Sequence, residues 1–250
     1  MIQTLRLIQR AHRYKRRHDP AEIAEMRRLI PSGGTAIDIG AHKGAYTYWM
    51  SKGVGPKGHV VAIEPQQELA ARLKELYQAN TRVRIRHSAV STHTGTITLH
   101  IPGEGPSHGA SIRELEADAD GPVRAVEVPS IALNDIAGEY ALKRIDFIKC
   151  DTEGAERDIF RAGSNTLEKY RPGVLVECEK RHADDDSDPV GELWEIFRSL
   201  GYEGRCFHAG RLIGMDEFDY AKHQRDPNDK PNYANNFLFT HPKRTATLLG

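Results

Sequence analysis

The sequence predicts an α/β fold with a doubly wound, mostly parallel sheet. Short runs rich in β-branched residues alternate with helical patterns along most of the chain, as expected of a parallel sheet with helices on both faces. The first of these runs also leads through a glycine-containing turn directly into a helix, as in a β-α-β unit. A chain of 250 residues, 39% of them hydrophobic, is large enough for one such domain with a complete core.

The predicted elements follow one another regularly from residue 35 onwards. Five runs are predicted as strands, at residues 35–39, 59–63, 83–89, 145–150 and 174–177. Four helical patterns accompany them, at residues 45–52, 67–80, 155–167 and 190–200. Three further strand-like runs in the tail are expected to close the sheet in antiparallel fashion, at residues 204–208, 211–213 and 236–240.

Two longer stretches interrupt this alternation. Strand-like runs at residues 95–101 and 123–129 flank a stretch rich in Gly, Asp and Glu, residues 102–122, which we expect to form a loop or lid. A second polar stretch, residues 216–235, precedes the last strand. Long loops in compact domains are usually functional or disordered, so we expect both stretches to shape a substrate pocket.

The first 30 residues are predicted to form a basic helical arm, followed by a single domain over residues 31–250. The arm holds eight Lys or Arg residues and three acidic ones. Apolar residues recur at helical spacing on both sides of Asp19-Pro20, which predicts two short amphipathic helices. We expect the arm to cover an edge of the sheet with its Arg side chains in water. A surface for a membrane, for RNA or for a second copy in a homo-oligomer is the alternative.

The composition argues against several classes of protein. Lys and Arg together number 35, as do Asp and Glu, so no overall field attracts nucleic acid or an anionic membrane. No apolar run is long enough for a signal peptide or a membrane-spanning helix, so a soluble, cytoplasmic protein is expected. Cys150, Cys178 and Cys206 are isolated from one another, which favours reduced thiols over disulfides or a zinc site.

The turn after the first strand predicts a cofactor site. Asp38 ends the strand, and Gly40 and Gly44 allow the backbone to approach a ligand closely. The spacing D-x-G-x-x-x-G lacks the G-x-G-x-x-G triplet with which dinucleotide folds hold a pyrophosphate. The carboxylate of Asp38 suits the ammonium group of S-adenosylmethionine (SAM) better than a pyrophosphate, and His42 and Tyr46 are expected to border the amino-acid portion of this cofactor.

The next strand supports a nucleoside ligand. It ends in Glu64-Pro65, and Glu64 follows Asp38 by 26 positions, the length of one β-α-β unit. A carboxylate at this point can accept hydrogen bonds from both ribose hydroxyls of either NAD or SAM, so the missing glycine triplet is what favours SAM. After the third strand, Ser88 and the backbone of Ala89 are placed where an adenine edge would lie.

The end of the fourth strand carries a cluster of charged residues. In open α/β sheets ligands lie beyond the carboxyl ends of the strands, which is where Lys149, Asp151, Glu153 and Glu156 are expected. For Glu156 a second reading is equally open, because an acid in the first helical turn stabilises the helix dipole.

The run I-K-C-D-T-E-G-A-E at this position resembles the signature of the FkbM-family methyltransferases. The runs I-D-I-G-A-H-K-G, A-I-E-P and V-P-S-I-A-L-N-D lie at compatible positions, so that the resemblance covers about residues 35–179. His42 and Lys43 stand where Asn and a small or apolar residue are more usual. The resemblance implies a class I SAM-methyltransferase fold, which is Rossmann-like with a seven-stranded sheet and an antiparallel C-terminal strand. It also implies O-methylation of a hydroxyl on a sugar, a polyketide or a similar small molecule.

Methyl transfer to a hydroxyl needs alignment of the reactants and removal of a proton. The displacement is in line, so the enzyme mainly positions nucleophile, methyl carbon and sulfur. The proton requires a carboxylate or histidine within hydrogen-bond reach. Asp151 is the first candidate for this role, with Lys149 and Glu153 orienting it, and His182 is the alternative base.

Glu177 and Glu179 end the fifth strand and alternate along it, so they are predicted to point to one face. There they are expected to bind substrate hydroxyls, together with Asn235 from the tail. The oxygens of Asp151, Glu153, Glu177 and Glu179 are also of the kind that Mg²⁺ binds, but no metal-spacing motif is present and a metal is not favoured.

Three rival functions remain open. An RNA methyltransferase would use the basic arm to grip phosphates, although no N/D-P-P-Y/F motif is present. An NAD-linked dehydrogenase is disfavoured by Asp38 and by the missing glycine triplet. A non-catalytic module would keep the SAM-binding fold without the chemistry.

Overall fold

In a computed structural model the chain forms one α/β unit, described over residues 2–115, 122–183, 186–229 and 232–244. The strands are β1 (Thr35–Ile39), β2 (His59–Glu64), β3 (Val83–His87), β4 (Ala89–Ser91), β5 (Gly95–Pro102), β6 (Val123–Ala132), β7 (Phe147–Cys150), β8 (Gly173–Glu177), β9 (Glu203–His208), β10 (Arg211–Gly214) and β11 (Asn236–Thr240). The α-helices are α1 (Ile2–Arg13), α2 (Pro20–Leu29), α3 (Ala45–Gly53), α4 (Gln67–Tyr77), α5 (Leu133–Glu139), α6 (Glu156–Ala162), α7 (Ser164–Tyr170), α8 (Pro189–Ser199) and α9 (Tyr220–His223).

The main sheet confirms the predicted doubly wound, mostly parallel architecture. Its strands lie in the order β10-β9-β11-β8-β7-β1-β2-β3, and β3, β2, β1, β7 and β8 are mutually parallel. The strand β11 is inserted between β8 and β9 and is antiparallel to both. The sheet has eight strands rather than seven, because the hairpin of β9 and β10 adds one strand at the edge.

The strand order changes direction between β1 and β7. The chain passes from β1 outwards to β2 and β3, and later returns to place β7 and β8 on the other side of β1. Such a switch point opens a crevice at the carboxyl ends of the two adjoining strands. In the register of these strands Asp38 lies opposite Lys149, so the crevice begins between a buried acid and a buried base.

A second sheet, ordered β4-β6-β5, lies beside the first. The predicted third strand is therefore wrong in its extent, because the chain leaves the main sheet at Ser88. The Ser88 amide donates to the carbonyl of Glu64 at 3.2 Å, while its hydroxyl lies 2.9 Å from the carbonyl of Pro129 on β6. These contacts join the two sheets. The hairpin of β5 and β6 carries the predicted loop over the site, of which residues 116–121 lie outside the described residues.

The N-terminal arm packs on a face of the main sheet and not at an edge as predicted, because α2 contacts β8, which lies between β11 and β7. It consists of α1, a π-helical turn (Tyr14–His18) and α2. Leu7 and Ala11 are buried against α3, and the indole nitrogen of Trp49 donates to the carbonyl of Ala11 at 2.8 Å. Ile23 and Met26 are fully buried in the same apolar cluster. The arm therefore belongs to the core of the fold; its use in a homo-oligomer stays a prediction.

The helix predicted over residues 155–167 is divided into α6 and α7 at Gly163, where a Cβ atom would lie 2.5 Å from a side-chain carbon of Leu133. All three cysteines are free and buried, in agreement with the expected reduced thiols. Among the helices of the described residues, none has the length and apolarity needed to cross a membrane.

Candidate active site

A cavity of about 750 Å³ lies beyond the carboxyl ends of β1, β2, β7 and β8. Most of the residues predicted from the sequence line it: Asp38, Gly40, His42, Tyr46, Glu64, Pro65, Ser88, Ala89, Lys149, Asp151, Glu153, Glu177, Glu179 and Asn235. Three predicted residues do not line it: Gly44, Glu156 and His182. Gly44, with a φ of 79°, is the N-cap residue of α3. His182 lines an adjoining cavity, and Glu153 borders both cavities.

Asp38 lines the cavity, and only one of its two carboxylate oxygens has a hydrogen-bond partner among the described residues. The residue is fully buried, and its Oδ2 accepts a hydrogen bond from the hydroxyl of Thr47 at 2.5 Å. Its Oδ1 has no partner among the described residues. Burial raises the pKa of this carboxyl, while Lys149 opposes the shift. A buried acceptor without a donor is costly, so the site is suited to a cationic or N–H-bearing ligand.

Gly40 brings the turn after β1 against the backbone that follows β7. Its φ is 74°, and a Cβ atom at this position would lie 1.9 Å from the carbonyl oxygen of Asp151. Only glycine fits both the conformation and the approach. The turn therefore forms a floor of exposed backbone between the two central strands.

Glu64 joins two loops at the end of β2. Its carboxylate accepts hydrogen bonds from the amides of His42 at 2.7 Å and Gln66 at 2.9 Å. Burial raises the pKa of Glu64 to about 7. Each carboxylate oxygen retains a second lone pair, so the side chain is able to accept hydrogen bonds from a ligand without releasing the loops.

The loop that carries His108 covers this end of the cavity. The side chain of Gln66 donates to the carbonyl of Ser107 at 2.8 Å and accepts from the Ser107 amide at 2.9 Å. The ring of His108 lies 4.0 Å from the ring of His42, which has a φ of 47°. Burial lowers the pKa of His42 to about 3, so this ring is neutral. Sequence reasoning predicted the loop and missed both contacts.

Ser88 and Ala89 line the same end of the cavity, where the sequence placed an adenine edge. The Ser88 hydroxyl lies 2.9 Å from the carbonyl oxygens of both Ala89 and Pro129. The hydroxyl therefore donates its proton to the backbone, and a ligand at this place would contact the hydroxyl oxygen of Ser88 or the backbone of Ala89. The contact with adenine stays a prediction.

Buried Lys149 and partly exposed Asp151 form an ion pair at the end of β7. The ammonium lies 2.7 Å from Oδ2 of Asp151 and 4.9 Å from the centre of the Tyr46 ring. Burial works against the charged form, but Asp151 and Asp38 together raise the pKa of Lys149 above its ordinary value. The side chain is consequently a fixed positive charge that holds Asp151 in place.

Glu153 pairs with His182 instead of orienting Asp151. The Nε2 atom of His182 lies 3.1 Å from Oε2 of Glu153. Glu153 adopts a left-handed conformation with a φ of 56°, which is uncommon for a residue other than glycine and occurs often at functional sites. Burial, and then the charge of Asp151, raises the pKa of Glu153 to about 8, whereas burial lowers the pKa of His182. The two shifts therefore favour a neutral imidazole beside a carboxyl that loses its proton near pH 8.

Glu156 holds the turn that carries Glu153. Its Oε1 accepts hydrogen bonds from the amide of Thr152 at 2.8 Å and from the Thr152 hydroxyl at 2.7 Å. Its Oε2 accepts from the amide of Gly154 at 3.1 Å. The two readings from the sequence were a residue at the ligand site and an acid that stabilises the helix dipole. Glu156 does begin α6, but its side chain does not line the cavity and folds back onto the turn, which gives it a positioning role.

Glu177 and Glu179 point to one face, as predicted, and Asn235 bridges them. The Asn235 amide donates to Glu177 at 2.7 Å and to Glu179 at 3.3 Å. Burial raises the pKa of Glu177 well above its usual range. Burial acts in the same direction on Glu179, but hydrogen bonds from Arg181 and Tyr233 lower the pKa of this carboxyl to about 2. The wall therefore presents hydrogen-bonding groups of both kinds.

The arm contributes residues that sequence reasoning missed. Tyr14 and Asp19 line the cavity, and the hydroxyl of Tyr46 donates to Oδ2 of Asp19 at 2.9 Å. No motif marks either residue, because the contact depends on how the arm folds back over α3.

The carboxylates of Asp151, Glu153, Glu177 and Glu179, named above as possible Mg²⁺ ligands, each have partners within the protein. Across residues 2–115, 122–183, 186–229 and 232–244, no group of three or more His, Cys, Asp or Glu side chains is placed to hold a metal ion. The four carboxylates instead engage Lys149, His182, Asn235 and Arg181.

The curated proteins with similar sequences include two methyltransferases. The 2-O-methyltransferase NoeI of Sinorhizobium fredii is 30% identical over 178 residues, which cover 66% of this chain and 71% of NoeI. The methyltransferase sdnD of Sordaria araneosa is 25% identical over 175 residues, or 59% of this chain and 67% of sdnD.

Solved structures with low sequence identity share the fold. The methyltransferase FkbM of Methylobacillus flagellatus superposes with a TM-score of 0.52 at 15% identity, covering 84% of this chain. This chain spans only 44% of that protein's length. An O-methyltransferase of Bacillus cereus, crystallised with S-adenosylhomocysteine (SAH), gives a TM-score of 0.50 at 14% identity, covering 96% of this chain and 90% of the other. These likenesses establish the class I methyltransferase architecture.

The sequence profile described as "Methyltransferase FkbM domain" matches residues 38–203, about two thirds of the chain, from Asp38 at the end of β1 to the start of β9. The matched segment contains Glu64, Lys149, Asp151 and Glu153, the residues that surround the cavity. The chain therefore belongs to the FkbM family of SAM-dependent methyltransferases.

Proposed function

We propose that this chain transfers the methyl group of SAM to a hydroxyl oxygen of a small molecule. The observation that carries the proposal is the arrangement within one cavity: two acids suited to the cofactor, Asp38 and Glu64, share it with Glu153, whose partner is His182. A relative with 30% identity bears the name 2-O-methyltransferase, which supports an oxygen acceptor.

The residues at one end fit SAM. The free Oδ1 of Asp38 accepts a hydrogen bond from the ammonium group, and the carboxylate of Glu64 accepts from the ribose hydroxyls. The turn at Gly40 lets the backbone approach the amino-acid portion. Bound SAM supplies a methyl group on a positively charged sulfur, which an aligned nucleophile displaces.

The other end receives the acceptor. Glu177 and Asn235 hydrogen-bond its polar groups, and Tyr14 and Asp19 of the arm close the opposite side. The ion pair of Lys149 and Asp151 lines the same cavity, which holds the two reactants side by side. Positioning of this kind supplies much of the rate acceleration in a bimolecular reaction.

Glu153 takes the proton of the acceptor hydroxyl. As the oxygen forms its bond to the methyl carbon, the methyl–sulfur bond breaks with its electron pair left on sulfur, so that SAH is the leaving group. The O–H bond breaks as well, and its proton passes to the ionised carboxylate of Glu153, which His182 supports at 3.1 Å. Asp151, the first candidate from sequence, is less suited to this step because its charge is already paired with Lys149 at 2.7 Å.

The proposal is tested by supplying the purified protein with methyl-labelled SAM and a cell extract divided into small molecules, RNA and protein. Label is expected in the small-molecule fraction as a base-stable ether. Label in RNA would instead favour an RNA methyltransferase that binds its substrate with the basic arm. Binding of SAM with no label in any fraction would favour the non-catalytic module. Either of these two results would overturn the proposal.

A further inference from the structure

Two half-buried cations on the wall of the cavity have no ion-pair partner among the described residues. Arg10 of α1 and Lys43 of the turn after β1 both line the cavity, and neither forms an ion pair with any residue of the described ranges. Lys149, which is buried at the same site, is paired with Asp151 at 2.7 Å. Arg10 and Lys43 are therefore available to pair with an anion in the cavity.

Arg10 contacts the turn after β1, which borders the predicted cofactor site. Its Nη1 donates a hydrogen bond to the carbonyl oxygen of Lys43 at 3.3 Å, which ties α1 to the loop that ends at Gly44. One nitrogen of the guanidinium is engaged in this contact, and the remaining N–H groups stay available to a ligand. The arm thus brings a positive charge to the cofactor end of the cavity.

Arg10 and Lys43 lie close to further cations, and no acid of the described residues pairs with either of them. Burial, Arg13 and Arg72 lower the pKa of Arg10; burial, Arg10 and Arg72 lower that of Lys43. Holding like charges together at a partly buried surface costs free energy, which an anion between them would recover. Guanidinium and carboxylate groups match in shape as well as in charge.

The amino-acid portion of SAM is a zwitterion, so its two charges need opposite partners. Asp38 provides a buried acceptor for the ammonium group. Resting on the proposed function, the geometry points to Arg10, assisted by Lys43, as the binding site for the carboxylate of SAM. The N-terminal arm then forms part of the cofactor site as well as a wall of the acceptor site.

Two ligands that differ at this group test the inference. SAH carries the amino-acid portion, whereas methylthioadenosine has the same nucleoside and sulfur but no carboxylate or ammonium. We expect Arg10→Gln to weaken SAH binding about tenfold, the cost of one charge-assisted hydrogen bond, and to leave methylthioadenosine binding within about twofold. Lys43→Gln, which leaves α1 unchanged, is expected to shift the ratio of the two affinities in the same direction.

Control variants separate this inference from the proposed function. Arg6→Gln alters an exposed residue one turn earlier on α1 that does not line the cavity, and it should change neither affinity. Glu64→Gln should weaken both ligands, because both contain the ribose. If Arg10→Gln and Lys43→Gln leave the ratio of the SAH and methylthioadenosine affinities unchanged while the wild type binds SAH, the inference is wrong and the proposed function stands. If the wild-type protein binds neither ligand, the cofactor assignment itself fails, and the inference fails with it.

Discussion

The imidazole of His182 lies 3.1 Å from the carboxylate of Glu153, although the two residues belong to different loops at the ends of β7 and β8. Glu153 reaches this position in a left-handed conformation, on a turn that Glu156 holds by three hydrogen bonds to Thr152 and Gly154. A strained residue with a dedicated support is expected where its side chain does chemical work. This pair is the basis of the proposed proton transfer.

The pair predicts how the rate of methyl transfer depends on pH. Burial raises the pKa of Glu153 to about 8, and the proposed base is its ionised form. The rate at saturating SAM should therefore rise from pH 6 to pH 9 and reach half its maximum near pH 8. A pH series of initial rates measures this directly. A rate that is constant over the same range would contradict the assignment.

Replacing His182 should move that profile. With its proton on Nε2, His182 donates to Glu153 and stabilises the ionised carboxylate. The substitution His182→Ala removes this donor, so the half-maximal pH is expected to increase, with the rate at pH 7 falling about tenfold or more. His93→Ala, at an exposed ring outside the cavity, is the control and should keep the wild-type profile.

Glu64 should determine cofactor affinity. Its replacement by Gln removes the charge offered to the ribose and places an N–H group against the amides of His42 or Gln66. We expect the affinity for SAH to fall about 30-fold or more, corresponding to about 2 kcal/mol for hydrogen bonds to a charged group. Calorimetric titration compares this variant with Glu68→Gln, on the exposed side of α4. Equal affinities would refute the cofactor map.

The link between Tyr46 and Asp19 should hold the arm in place. Tyr46→Phe deletes the donor that lies 2.9 Å from the Asp19 carboxylate and leaves that half-buried acid without this bond. Since an unsatisfied buried group costs about 1–3 kcal/mol, the arm should open more often and trypsin should cleave faster within its basic segment. Tyr48→Phe, whose hydroxyl makes no hydrogen bond among the described residues, should be cleaved at the wild-type rate. Identical cleavage of both variants would show that the link is unimportant.

Asn235 should stabilise the acceptor wall most strongly at high pH. Asn235→Asp places a third carboxylate within 2.7 Å of Glu177 and 3.3 Å of Glu179, where the native amide donates to both. The free energy of unfolding is expected to fall by about 2 kcal/mol or more at pH 8. The loss should shrink as the pH is lowered, because the raised pKa of Glu177 favours its protonated form, which repels a third carboxylate less. Urea unfolding at pH 8 and at pH 5 measures the difference. Asn232→Asp, which affects an exposed contact with Asp229, is the control.

The cofactor end could be predicted from the sequence because its geometry follows from strand order. Asp38 and Glu64 end two adjacent parallel strands, and the carboxyl ends of such strands meet at one edge of the sheet. The same rule brought Lys149 and Asp151 to the crevice. Their spacing along the chain therefore contained the information needed.

The remaining features depend on contacts between loops. The pairing of Glu153 with His182, and that of Tyr46 with Asp19, join segments that no periodicity relates. The division of the predicted third strand at Ser88 arises from a second sheet, which the propensity of the run does not indicate. Gly163 was the one visible signal for the break between α6 and α7, and its meaning depends on the packing of Leu133.

The most direct test of the account compares single-turnover methyl transfer by the wild-type protein and Glu153→Gln, with SAM saturating and the extract-derived acceptor in excess. The variant should bind SAH with wild-type affinity and unfold at a temperature no lower than the wild type, because an amide is less costly to bury than a carboxylate. Its transfer rate should fall at least about 100-fold at pH 8, as expected when a general base is lost. An undiminished rate would show that Glu153 does not accept the proton.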